Sequence, residues 1–71
     1  MEALFRSHVD SAVRTAYMIT HNWATAEDAV QEAFIQAFRS LGTFQEGRPF
    51  KPWLTKIVVN KSRRIWAKFH S

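Results

Sequence analysis

Hydrophobic residues recur at helical spacing in three segments of the chain. The first segment runs from about residue 3 to 19, the second from about 25 to 41 and the third from about 50 to 68. In each of them apolar side chains return at steps of three and four, which places them on one face of a helix. The second segment is the most regular, with small and large apolar residues alternating from Ala26 to Leu41. We therefore predict an all-α fold, a compact three-helix domain.

The ends of these segments carry local signals. Thr25 and Asp28 match an N-terminal capping box, in which a hydroxyl and an acidic residue three positions later cap the first turn. Gly42 is placed as a C′ glycine that ends the second helix, and Pro52 is tolerated in the first turn of the third. Residues 42–49 contain both glycines and the first proline, so we predict a loop there.

Length and composition limit the class of protein. A chain of 71 residues holds a single domain, and the absence of cysteine excludes disulfides and thiolate metal sites. No apolar run approaches the roughly 18 residues of a membrane span, and the N-terminus is too polar for a signal peptide. We expect a cytoplasmic protein.

Charge is divided unevenly along the chain. Residues 1–46 hold three arginines and six acidic residues, whereas residues 47–71 hold seven lysines and arginines and no acidic residue. Such a basic block suits a polyanion, either nucleic acid or an anionic membrane surface. A solvated charged tail has the same composition, so charge alone leaves these alternatives open.

The outer face of the second helix carries a row of mixed chemistry. Asp28, Gln31, Glu32 and Ile35 follow one another at steps of three, one and three, and therefore line up on one side. Two carboxylates, an amide and an exposed isoleucine would form a polar interface with one apolar anchor. Acidic residues near a helix N-terminus are also favoured by the helix dipole, so an ordinary solvated face is the alternative.

The outer face of the third helix is basic. Lys56, Asn60, Arg63 and Arg64 share it. Lysine and arginine supply phosphate affinity, and Asn60 can both donate and accept hydrogen bonds, which suits it to a base edge.

Aromatic residues lie within or beside the basic block. Single-stranded nucleic acid stacks its bases on aromatic rings while cations follow its backbone. Trp53 falls on the apolar stripe and is assigned to the core. Trp66 falls off the stripe, which favours exposure, with packing on the first helix as the alternative. Phe44 and Phe50 suit either role.

Two motifs carry a resemblance to a known family. Residues 26–34, AEDAVQEAF, resemble the signature of region 2.2 in extracytoplasmic-function (ECF) sigma factors of bacterial RNA polymerase. Residues 47–54, GRPFKPWL, followed by Ile57, Asn60 and Arg64, are similar to the pattern of regions 2.3 and 2.4. The resemblance covers almost the whole chain. It implies region 2.1 at about 3–19, region 2.2 at about 25–41 and regions 2.3–2.4 at about 44–68.

The resemblance implies that the second helix docks on the clamp coiled coil of the largest catalytic subunit of RNA polymerase. The residues at the matching positions are Asp28, Gln31 and Glu32, flanked by Ile35 and Arg39. An anti-sigma partner that masks the same surfaces is also typical of the family.

For the third helix and the preceding loop, the resemblance implies recognition of the −10 promoter element and capture of a flipped base of the non-template strand. By position, Asn60 matches the family's base-contacting asparagine and residues 42–49 match its flipping loop. Together with the basic and aromatic residues named above, the predicted DNA-binding set is Phe44, Arg48, Phe50, Lys56, Asn60, Arg63 and Arg64. The function implied is transcription initiation. The family's second DNA-binding domain, which reads the −35 element, has no counterpart in these residues, so we expect either an excised fragment or an incomplete protein.

Other classes of function have weaker support. His8, His21 and His70 share no helical face, and no nucleophile–base set accompanies them, so we predict no enzyme activity, no metal and no cofactor. Two alternatives remain open. The third helix could be a basic amphipathic segment lying on a membrane surface, or the chain could be a protein-binding helical module whose basic end is solvated and has no DNA role.

Overall fold

Three α-helices account for most of the protein in the computed structural model, which describes residues 6–43, 47 and 49–70. The elements are α1 (Val9–Thr20), α2 (Trp23–Arg39), a 3-10 turn (Leu41–Thr43) and α3 (Phe50–His70). Strands do not occur in this described part of the chain. The predicted all-α, three-helix fold is confirmed.

Small side chains dominate the core that the three helices share. The buried apolar residues of the described ranges are Ala12, Ala16, Ala26, Ala29, Val30, Ala33, Ala37, Leu54, Ile57 and Val58. Six of these ten are alanine, and alanine at a contact lets helix axes approach closely. Larger side chains, among them Phe34, Trp53 and Ile65, pack around this centre while staying partly exposed. Trp53 therefore belongs to the core margin, as its position on the apolar stripe predicts.

The first helix begins later than its apolar pattern suggests. Ser7 and His8 form a turn, and α1 starts at Val9 with Asp10 in its first turn, where the helix dipole favours a carboxylate. The predicted continuous helix from about residue 3 is therefore wrong at 7–8, and residues 3–5 lie outside the described part. The His8 ring packs 5.5 Å from that of Phe50, so tertiary packing accompanies the turn.

The second helix begins earlier than predicted. Asn22, not Thr25, is its N-cap: the Asn22 side-chain oxygen accepts a hydrogen bond from the Thr25 backbone N–H at 2.9 Å. Asparagine caps at least as well as threonine. The earlier start also includes Trp23, whose ring stacks on that of Tyr17 from α1.

The second helix also ends differently. Arg39 is its last residue, Ser40 caps it, and Gly42 lies inside the 3-10 turn. Gly42 does not adopt a positive φ and is not the C′ residue that we predicted; the left-handed cap in the described chain belongs to His21, which ends α1 with φ 56°. Gly47 has φ 93°, a conformation that side chains other than glycine rarely adopt.

The third helix is close to its prediction, beginning at Phe50 with Pro52 in the first turn. Its buried polar residue, Ser62, donates a hydrogen bond from its hydroxyl to the Val58 carbonyl at 2.8 Å. Within the described residues, no helix has both the length and the apolar character that a membrane crossing requires.

Candidate functional site

One face of α2 carries an exposed row of side chains, which we term the α2 strip. Its members are Asp28, Gln31, Glu32, Ile35 and Arg39, all exposed. Ile35 leaves 54% of its surface accessible, a large fraction for an isoleucine. The opposite face of α2 is the alanine-rich core, so packing fixes the direction in which the strip points.

An apolar groove runs along one side of the strip, between α1 and α2. It has a volume of about 990 Å³, and its apolar lining includes Val13, Trp23, Phe34 and Phe38. The polar residues at its margin are Asp10, Arg14, Glu27 and Gln31. Trp23 and Phe38 are about half exposed, so this groove is an accessible apolar surface.

A polar cleft lies on the other side of the strip, between α2 and α3, and we term it the α2–α3 cleft. Its lining residues are Gln36 from α2 and Asn60, Lys61, Arg63 and Arg64 from α3, around a volume of about 460 Å³. Of the described residues that line it, none is acidic.

A second opening adjoins this cleft and leads back to the strip. It is lined by Glu32, Ile35, Gln36, Arg39 and Lys61. Gln36 and Lys61 line both spaces, so the α2 strip and the basic residues of α3 meet at these two side chains. The α2 strip and the basic residues of α3 are therefore adjacent.

The exposed face of α3 carries the predicted basic row. Lys56, Asn60, Arg63 and Arg64 are all exposed. The α2–α3 cleft brings the last three together, whereas Lys56 is one helical turn before Asn60 and outside the cleft lining.

The aromatic residues of the basic block have different environments. The ring of Phe50, the first residue of α3, is half buried and lies 5.5 Å from the rings of both Trp53 and His8, the residue before α1. Trp66 is 41% exposed, as its position off the stripe predicts. Two of the predicted DNA-binding residues, Phe44 and Arg48, lie outside the described residues.

Three residues of these surfaces were not predicted from the sequence to be functional. Gln36 was not predicted to have a role, and Lys61 was counted only as one residue of the basic block. Trp23 lay outside the predicted second helix. For Gln36 the sequence did contain a signal. The helical period of α2 places this residue next to Ala33 and Ala37, at the edge of the buried face.

Comparison with known proteins identifies the family. The family model for sigma-70 region 2 matches residues 4–69, nearly the whole chain. The chain belongs to the sigma-70 region 2 family. The resemblance based on the motifs of α2 and α3 is thereby confirmed, and the relatives show that this region 2 is of the ECF type.

Three relatives illustrate the similarity. The ECF RNA polymerase sigma factor SigE of Mycolicibacterium smegmatis is 42% identical over 59 residues, which cover 83% of this chain and 23% of that protein. The RNA polymerase sigma factor CarQ of Myxococcus xanthus is 36% identical over 62 residues, 87% of this chain and 36% of that protein. The ECF RNA polymerase sigma factor BldN of Streptomyces coelicolor is 40% identical over 58 residues, 80% of this chain and 22% of that protein.

The region 2 chain thus spans between about a fifth and two fifths of the length of these relatives. No solved structure gives a significant match to it.

Proposed function

We propose that this region 2 binds core RNA polymerase through the α2 strip and recognises and melts the −10 promoter element through α3 and the preceding loop. In this assignment α1 belongs to region 2.1, α2 is region 2.2, and the loop with α3 forms regions 2.3 and 2.4. The observation that carries the proposal is the exposure of both predicted rows, on two helices of a domain that belongs to the sigma factor family.

The chemistry of the α2 strip supports a protein contact. Asp28 and Glu32 supply charges for basic partner residues, Gln31 supplies an amide, and Ile35 supplies apolar area that is lost from water on docking. Because α2 rests on a close-packed alanine surface, the strip is held in place before it binds, which lowers the ordering cost of association. The clamp coiled coil of the largest catalytic subunit is the proposed partner. An anti-sigma protein that covered the strip would block it.

The α3 face supports a nucleic-acid contact. Lys56, Arg63 and Arg64 would hold backbone phosphates, and Asn60 would read a base edge. Extruding a base from a duplex costs a few kcal/mol of unstacking, and capture of that base by the loop offsets the cost. No covalent chemistry is needed, because binding energy drives strand separation.

The bridging role can be tested with a fluorescent single strand of the non-template −10 element. Core polymerase, the 71-residue chain and the two together are each titrated with this strand and with a scrambled strand. We expect sequence-dependent retention only when both proteins are present, since the polymerase positions α3 over the DNA.

Equal retention of the two strands by the complex would overturn recognition of the −10 element. Binding of the chain to polymerase with no gain in DNA affinity would instead favour a helical protein-binding module whose basic end is solvated.

A further inference from the structure

Two amide side chains from different helices line the α2–α3 cleft. Gln36 belongs to α2 and Asn60 to α3, and both are exposed. The family motifs in this sequence include Asn60 but not Gln36, so only the folded arrangement brings the second amide to the basic face.

The position of Gln36 follows from the packing of α2. Ala33 and Ala37 are fully buried against the core, and Gln36 lies beside them on the helix surface. It is therefore at the edge of the buried face on the side of α3, and Lys61, Arg63 and Arg64 line the cleft with it. The strip residue Gln31 lines the groove on the opposite side, towards α1, and Ile35 lines both this groove and the opening next to the cleft.

The lining of the cleft has the chemistry of a nucleotide site. A glutamine or asparagine amide donates and accepts at the same time, which matches the N6 and N7 positions of adenine as a bidentate pair. Three cations in the same cleft would attract the backbone phosphates on either side of such a base. None of the described residues that line the cleft carries a carboxylate that would repel these phosphates.

We propose that Gln36 is a second base-reading residue, carried by α2, which recognises a purine, adenine foremost, beside the position read by Asn60. This inference rests on the proposed function, in which the α3 face meets promoter DNA. Because Gln36 also lines the opening with Glu32 and Arg39, the base that it reads lies next to the polymerase-binding strip. Recognition of this base would thus occur at the border of the two interfaces.

The test measures, by anisotropy at low salt, the binding of fluorescent −10 oligonucleotides to the complex of the 71-residue chain with core polymerase. Each position of the element is varied through all four bases, for the wild type and for Gln36→Ala and Asn60→Ala. We expect Gln36→Ala to lose about tenfold in affinity for the preferred base at one position, which differs from the position affected by Asn60→Ala.

Met18→Ala is the matched control, because Met18 is 76% exposed on α1 and its unbranched side chain has the length of glutamine. It should leave every base preference unchanged. Circular dichroism of each variant checks that the helices are retained.

The possible failures are distinguishable. If Asn60→Ala alters base preference and Gln36→Ala does not, the role of Gln36 is overturned while the proposed function stands. An equal loss for all sequences in Gln36→Ala also overturns its base-reading role. If neither variant alters any preference of a complex with polymerase that still binds DNA, base reading by this face is wrong and the proposed function fails with it.

Discussion

The rings of Tyr17 and Trp23 stack face to face across the turn between α1 and α2, with centroids 3.9 Å apart and an interplanar angle of 11°. His21, which ends α1 in the left-handed conformation, lies edge-on to Tyr17 at 6.3 Å. The stack therefore joins two helices whose buried residues are mostly alanine. Alanine buries little apolar area, so we expect the aromatic contact to contribute to the stability of the domain.

Removing the stack should destabilise the domain. We expect a double-mutant cycle of Tyr17→Ala and Trp23→Ala to give a coupling energy of about 0.5–1.5 kcal/mol, measured from urea unfolding. Met18→Ala, on the same helix as Tyr17 but exposed, should change the free energy of unfolding by no more than about 0.5 kcal/mol. Additive effects of the two aromatic substitutions would show that the rings do not stabilise each other.

The N-cap of α2 gives a second prediction. Asn22→Ala should lower the free energy of unfolding by about 1 kcal/mol, because the Thr25 backbone N–H loses its acceptor. Thr25→Ala is the matched control and should cost less, since Thr25 contributes its backbone N–H and not its hydroxyl to this cap. Thermal unfolding followed by circular dichroism measures both. A larger loss in Thr25→Ala than in Asn22→Ala would favour the capping box that the sequence pattern suggests.

The difference between these two caps shows what the sequence can and cannot determine. Both Asn22 and Thr25 are good N-cap residues followed by helix-forming sequence, so local preference leaves the start of α2 open. The longer helix brings Trp23 onto Tyr17, which is a contact between two elements. The apolar period predicted all three helices because it reflects burial of one face, whereas the exact ends depend on neighbouring helices.

The interaction surfaces, too, were predictable only in part. That Asp28 and Asn60 point outwards follows from the helical period and was predictable. The helical period could not predict that Gln36 shares a cleft with Asn60, because the spacing within α2 does not specify which face of this helix packs against α3. Motif resemblance identified the family but could not supply this relationship either, since each motif lies within a single segment.

Close packing around Ser62 leads to a prediction for the core. Ser62 and Val58 are fully buried, and the Ser62 hydroxyl donates to the Val58 carbonyl. Ser62→Ala should change the free energy of unfolding by about 1 kcal/mol or less, because this carbonyl also accepts the regular backbone bond of an α-helix. Ser62→Leu should cost about 1–3 kcal/mol or more through overpacking. Urea unfolding compares the two, and equal stability of both variants would mean that this part of the core is loosely packed.

Two lysines of α3 allow the contribution of the proposed DNA-binding face to DNA affinity to be distinguished from that of the net charge of the chain. Lys56 is on the exposed basic row, whereas Lys51 lines a small gap towards α1 with Ser11 and Thr15. The DNA affinity of the chain is measured at several salt concentrations, and the slope of log affinity against log salt is compared between variants. Lys56→Ala should reduce the magnitude of this slope by about one unit. Lys51→Ala removes the same charge and should leave the slope nearly unchanged. Equal changes in slope would mean that only the net charge of the chain matters.

Glu32 and Glu27 provide the most direct test of the account, which requires polymerase to bind the α2 strip and not merely any acidic surface of the helix. Both are exposed glutamates on α2, but Glu32 belongs to the strip and Glu27 lies at the margin of the apolar groove towards α1. The measurement is the affinity of the 71-residue chain for the isolated clamp coiled coil of the largest polymerase subunit.

Glu32→Ala should weaken this binding by about tenfold or more, since removing one member of a close interfacial charge pair costs at least about 1.4 kcal/mol. Glu27→Ala should stay within about twofold of the wild type. An unchanged affinity in Glu32→Ala, or an equal loss in both variants, would contradict the assignment of the α2 strip as the polymerase-binding surface.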